Sequence, residues 1–271
     1  MKKKWSGERL ETFIYSRDTI EHLHRYAITF EFIKGKNVLD IASGEGYGSH
    51  LMSRFAMNVT GVDIDYESVE LANKKYKANN INYKQGSATQ IPFDDNTFDV
   101  VVSFETIEHI VEHNQMIIEI KRVLKKDGVL IISTPDKMYY SDVRNFNNHF
   151  HVKELYREEF KDLISTQFDY CALYDQLYLN GISIICNEKA NINNHEMVFT
   201  GDYNKIENTV LHPLYLIAIA GVSKVKVVET SFFDGSNIIV KEAFTEFQKS
   251  NVYKVGNFIL KPIKILKGIF K

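Results

Sequence analysis

The chain has 271 residues, 44% of them hydrophobic, with 33 Lys and Arg against 35 Asp and Glu and a net charge of −2. That length carries one large domain or one and a half, with ample apolar content for a core, and the charge balance excludes an overall basic field demanding nucleic acid. The longest apolar run, Leu214 to Val222, is too short to span a bilayer, and no apolar signal region follows the basic start Met1 to Arg9. Cys171 and Cys186 lie in apolar segments without metal spacing and read as buried thiols. The expected location is cytoplasmic.

Residues 1–35 are expected to form a helical lid, helical from about Arg17, because Ile20, Leu23, Tyr26, Ala27 and Phe30 recur at helical spacing. The polar cluster Glu21 to Tyr26 suits either a surface helix packed on the core or a lid whose Arg25 or Tyr26 meets a ligand carboxylate. Next comes Lys36 to Gly48, KNVLDIASGEGYG: a short apolar strand, a glycine-rich turn and a helix start. Glycines at alternate positions let the backbone turn sharply and approach a ligand, and the helix start adds unpaired N–H groups at the same spot.

A dinucleotide fingerprint would need a third glycine at position 49, where this chain has Ser49. It would also place Asp40, inside the strand, against a pyrophosphate, whereas a carboxylate beside an ammonium group is favourable. The glycine turn together with Asp40 resembles the first motif of class I S-adenosylmethionine (SAM)-dependent methyltransferases.

From Lys36 to Pro135 strand and helix alternate, with strands expected near 37–42, 58–64, 81–85, 98–104 and 128–134 and helices near 46–56, 66–78 and 113–125. Such alternation predicts an α/β, doubly wound, Rossmann-like sheet that binds ligands at the carboxyl ends of its strands. After the second strand, Asp63 can accept hydrogen bonds from vicinal ribose hydroxyls, and Asp65 suits the cap of the following helix. After the third, Gln85 to Phe93 and the run Asp94 to Val101 resemble the adenine loop and fourth strand of the same methyltransferases, with Ser87 where the family usually has an acid. The resemblance implies a SAM site of Asp40, Ala42, Gly44, Gly46, Asp63, Ile64, Ser87, Ala88 and Phe104.

The fourth strand ends in Phe104-Glu105-Thr106-Ile107-Glu108-His109. If a helical turn begins at 105, positions 105, 108 and 109 share one face. Acids in a first turn also stabilise a helix through its dipole, so the spacing alone leaves a structural role open. A later loop carries His149 and His151. The Glu-x-x-Glu-His element with a following histidine resembles two metal-using O-methyltransferase families, the small-RNA terminal ribose and the ubiquinone-biosynthesis enzymes. That likeness implies Glu105, Glu108, His109 and His151 as ligands of a divalent metal such as Mg, Mn or Fe, with Glu108, His109 and His151 at the reaction centre. A metal-free histidine base is the alternative. The asparagine–proline–proline–aromatic element of N-methylating enzymes does not occur after the fourth strand.

Strands are expected at 168–178 and 212–222 around an Asn-rich insertion, 187–208, as in the closing antiparallel hairpin of the seven-stranded methyltransferase sheet. The domain is thus expected over 36–222, with a C-terminal extension over 223–271. Segments 21–26, 148–152 and 212–220 resemble methyltransferases of bacterial surface-polysaccharide clusters, which implies O-methylation of a sugar or glycan-related acceptor. Other small hydroxylated molecules, and a non-catalytic SAM-binding partner protein, remain alternatives. The tail, Val255 to Lys271, is apolar at helical spacing with lysines opposite, which suits packing on the domain or on a second subunit, or lying at a membrane interface.

Overall fold

The computed structural model describes residues 9–187 and 198–255. Helix α1 (Arg17–Ile33) opens on a capping box, in which Ser16 and Thr19 each accept from the other's backbone N–H. Then follow β1 (Asn37–Ile41), α2 (Tyr47–Met52), β2 (Asn58–Asp63), α3 (Tyr66–Lys75), β3 (Ile81–Gln85) and β4 (Phe98–Ser103). After a 3₁₀ turn (Ile107–His109) come α4 (His113–Val123), β5 (Leu124–Pro135), α5 (Arg157–Ser165), β6 (Tyr170–Leu179) and β7 (Ile182–Asn187). The last elements are β8 (Val198–Gly201), β9 (Ile206–Thr209), β10 (Tyr215–Gly221), β11 (Ser231–Asp234) and α6 (Ser236–Lys249).

The main sheet has the order β11-β7-β6-β10-β5-β4-β1-β2-β3, and β8 with β9 forms a separate ribbon. Strands β3, β2, β1, β4 and β5 are parallel; β10 enters antiparallel between β5 and β6. Those seven strands make the expected sheet. Two strands beyond the expectation extend its edge: β7 forms a hairpin with β6 through the turn at Asn180 and Gly181, and β11 pairs with β7. Within the expected insertion 187–208 lie β8 and most of β9, while β11 and α6 belong to the C-terminal extension. The tail 256–271 lies outside the described residues.

Strand periodicity of two divides the core between the faces of the sheet. Leu39, Ile41, Val101, Leu130 and Ile132 turn toward α4 and α5, packing with Ile117, Ile120 and Phe160. Their neighbours Val38, Val100, Val102 and Ile131 turn the other way, against Tyr26, Ile33 and Met52 of α1 and α2. A sheet covered on both faces explains the near-continuous apolar strands. No helix among the described residues is long and apolar enough to cross a membrane.

Helix α1 lies directly on α2, where Gly48 has no side chain; a Cβ there would sit 1.9 Å from the Tyr26 ring. The buried ring cannot move aside without disturbing Asp40 beneath it. Gly48→Ala is therefore expected to destabilise the fold by about 1–3 kcal/mol, read as a lower urea midpoint at unchanged slope.

Candidate active site

The carboxyl ends of β1 and β2 meet at the glycine turn. Gly44 (φ +54°) and Gly46 (φ +87°) take left-handed conformations, and so does Ala42 (φ +59°), a strained position for a residue with a Cβ. The Gly44 N–H donates to Asp63 at 2.8 Å, the Asp65 N–H donates to the other Asp63 oxygen at 2.9 Å, and Arg9 adds a contact of 3.1 Å. Asp65 takes a separate role as the cap of α3, accepting from the Ser68 N–H. The segment before α1 straps across this turn: Thr12 N–H donates to Glu45, which also pairs with Lys75. Arg9 and this strap carried no sequence signal, since contacts more than thirty residues apart leave none.

Asp40 is buried under the turn and accepts from Ser49 Oγ at 2.6 Å. Burial pushes its carboxyl up to about 7, against opposing hydrogen bonds from Ser49 and Tyr26. Phe104 is buried edge-on to Tyr26, with ring centres 5.1 Å apart, and Ile64 stands 68% exposed beside Asp63. The Ser87 hydroxyl is engaged inside its own loop with Thr89, and Ala88 packs against the core.

Helix α1 supplies a fully buried cation. Arg25 Nη1 donates to Gln176 of β6 at 2.7 Å and lies 3.8 Å from Glu105, and the guanidinium stacks on Tyr215 at 4.6 Å. Its Nε and Nη2 have no protein partner. Tyr26 turns instead toward Gly48 and Asp40, so Arg25 is the α1 side chain with donors left for a ligand.

Beyond β4 the structure corrects the expected face. Glu105 is left-handed (φ +51°) and precedes the 3₁₀ turn, so no α-helical turn begins there. Its carboxylate accepts from Ser133 Oγ at 2.7 Å and faces Arg25. The group that comes together is Glu108, His109 and His151, whose ligand atoms lie within 4.8 Å of one another; Glu105 stands outside it. Glu108 is buried, and its Oε1 lacks a hydrogen-bond partner 4.0 Å from His109 Nε2. Burial, then the neighbouring Glu105 carboxylate, pushes the Glu108 carboxyl well above the usual range.

Both histidines are oriented by their neighbours. His109 Nδ1 lies 2.9 Å from the Phe150 carbonyl, which only accepts, so the hydrogen is on Nδ1 and the lone pair on Nε2. His151 Nδ1 lies 2.5 Å from Glu154 Oε1, and Asn148 Nδ2 faces its Nε2 at 2.9 Å. Asn148 Oδ1 accepts from the Phe150 N–H, which fixes the amide's orientation. The Glu154 role was available in the sequence as an acid three residues after His151. His149 lies tilted against the Phe150 ring and takes no part in the group.

The methyltransferase domain family, Methyltransf_11, matches residues 39–132, from β1 through most of β5. Over those strands the chain is similar to methyltransferase domains. A probable SAM-dependent methyltransferase of Mycolicibacterium smegmatis is 35% identical over 133 residues, 49% of this chain and 51% of that protein. A phthiotriol/phenolphthiotriol dimycocerosates methyltransferase of Mycobacterium ulcerans is 29% identical over 134 residues, 49% of this chain and 46% of that protein. The chain thus spans about half the length of the curated relatives it matches. In fold it is similar to the YcgJ protein of Bacillus subtilis, with a TM-score of 0.55 and 20% identity over 75% of this chain and all of that one.

SAM is the cofactor such a domain implies, and the residues fit it. A Cβ on Gly44 would meet nothing within 4 Å, so the turn leaves open space above the backbone; Asp63 and the buried acid Asp40 suit a ribose diol and a cationic ligand. Asp63→Ala should weaken SAM binding about a hundredfold, the loss of two charge-assisted hydrogen bonds, by titration calorimetry. A second outcome follows from Asp40. Its folded value near 7 lies above the ordinary 3.8, so the folded chain holds a proton that the unfolded chain has lost. Stability falls as pH rises from about 4 to about 7 and stays lower above. A cationic ligand favours the ionised acid, so SAM affinity should rise with pH up to about 7, with proton release seen by calorimetry in two buffers; Asp40→Asn should flatten both trends.

Proposed function

We propose that this protein transfers the methyl group of SAM to a hydroxyl oxygen of a sugar or glycan-related acceptor. The observation that supports O-methylation is the unpartnered oxygen of buried Glu108, held against His109 and His151 past the carboxyl end of β4. Two imidazoles beside that buried acid suit removal of a proton from a hydroxyl, which is a poor nucleophile until it is lost.

When bound, SAM supplies an activated methyl electrophile, so the chain's own work is to orient and deprotonate the acceptor. Arg25 and Asp63 anchor opposite ends of the cofactor, while α1 and the strap exclude water from the methyl group. His109, with its lone pair on Nε2, takes the hydroxyl proton as the oxygen attacks and the carbon–sulfur bond breaks. His151, oriented by Glu154, stands beside it with its Nε2 accepting from Asn148. Glu108, His109 and His151 match a divalent ion in donor type and spacing, with the Asn148 amide having to release the His151 Nε2 first, and such an ion would lower the acceptor hydroxyl's pKa.

The sugar reading rests on the resemblance of segments 21–26, 148–152 and 212–220 to polysaccharide-cluster enzymes. A second reading comes from relatives named for phthiotriol and phenolphthiotriol dimycocerosates, which are not sugars. The deciding experiment offers the purified protein nucleotide sugars and hydroxylated lipids with labelled SAM, before and after chelator treatment. Glu108→Ala is expected to lower turnover by about a hundredfold or more with SAM affinity unchanged. Chelator-sensitive turnover with bound metal lost in the variant would support the ion; chelator-resistant turnover would support the histidine base. Methylation confined to nitrogen acceptors, or unaltered turnover in Glu108→Ala, would overturn the reading.

A further inference from the structure

Helix α6 carries a second apolar face besides the one it turns to the fold. None of its residues is buried. Its more sheltered side holds Ile238, Ile239, Glu242 and Thr245, while Val240, Phe244 and Phe247 are more than half exposed. Those three positions are spaced i, i+4, i+7 and form one stripe. Beyond the helix, Val252 and Val255 add further exposed apolar groups. An amphipathic helix normally turns its apolar stripe to the core, so this stripe is built for something outside the described fold.

Its location narrows the partner. Strand β11 runs parallel to β5, because β10, β6, β7 and β11 alternate in direction across the sheet. Asp234 therefore ends β11 at the same edge as the carboxyl end of β5, where the candidate site lies. Gly235 N–H donates to the Gly181 carbonyl at that edge, and Lys241 lies over Tyr15 of the segment leading into α1. The helix thus departs from the rim of the acceptor side.

Charge selects the occupant. The sixteen residues after Val255 contain Lys261, Lys264, Lys267 and Lys271 and no acid, with Phe258, Ile259, Leu260, Ile263, Ile265, Leu266, Ile269 and Phe270 among them. An exposed aromatic stripe continued by an apolar sequence whose only charges are positive matches a surface that is apolar inside and negative at its boundary. We propose that the α6 stripe and the basic segment after it dock on an anionic lipid bilayer, bringing the acceptor rim to the membrane face. This goes beyond the acceptor chemistry above, and because docking is read without turnover, either conclusion can fail alone.

The test is co-sedimentation of the full chain with vesicles of phosphatidylglycerol and phosphatidylcholine, against vesicles of phosphatidylcholine alone. Wild type should bind the anionic vesicles and prefer them strongly. Phe244→Ser with Phe247→Ser should weaken binding about tenfold or more through lost apolar burial. Changing the four lysines to glutamine should remove the preference for anionic lipid, at about fivefold for each charge. Thermal melting and SAM binding of both variants should match wild type, Phe244 and Phe247 being exposed and away from the glycine turn. No vesicle binding by wild type, or equal binding by the phenylalanine variant, would overturn the proposal. A wild-type dimer in light scattering that the phenylalanine variant dissociates would also overturn it, by assigning the stripe to a second copy of the chain.

Discussion

A fully buried guanidinium sets the terms for the acceptor half of this molecule. Arg25 can be excluded from water only with anions and acceptors around it, since an unpaired buried charge costs several kcal/mol. Its surroundings meet that demand from three elements: Glu105 after β4, Gln176 on β6 and the face of Tyr215 on β10. Each of those contacts requires α1 to lie across the sheet. With α1 fixed there, Tyr26 covers Gly48 and Asp40, and the strap before the helix crosses the glycine turn. The strained φ of Glu105 belongs to the same requirement, because the residue must turn back toward Ser133 and Arg25 rather than enter a helix.

The strand ends carry more carboxylates than ordinary stability would choose. Asp40, Asp63, Glu105 and Glu108 lie along one edge of the sheet, and burial raises the carboxyls of Asp40 and Glu108. Arg25 and Arg9 offset part of the negative charge. What remains is a region that gains by receiving positive charge, such as the sulfonium and ammonium groups of SAM. Local instability and ligand preference therefore have one electrostatic cause.

Much of the nucleotide half was legible in the residues. The strand Val38 to Ile41 and the glycine turn follow local backbone rules, and the pairing of β1 with β2 brings Asp63 to the Gly44 N–H. Asp65 and α3 follow from capping chemistry. The acceptor half was legible in residue type but not in arrangement. Glu105 shares a three-residue spacing with Glu108, yet its left-handed backbone and its bond to Ser133, twenty-eight residues away, separate the two carboxylates. Strands β7 and β11 were hidden for a related reason. Both are short, lie toward the edge of the sheet and gain their order from pairing with β6 and with each other.

The sequence by itself determined the alternation that builds a doubly wound sheet and the turn that receives a nucleotide-like ligand, because each depends on interactions within a few residues along the chain. Tertiary structure decided which polar side chains come together past the end of β4. His151 meets His109 across forty-two positions through the Phe150 carbonyl, Asn148 and Glu154, and Arg25 claims Glu105 from a helix eighty positions earlier. Such choices turn on which buried charge finds which partner, and spacing along the chain does not encode that.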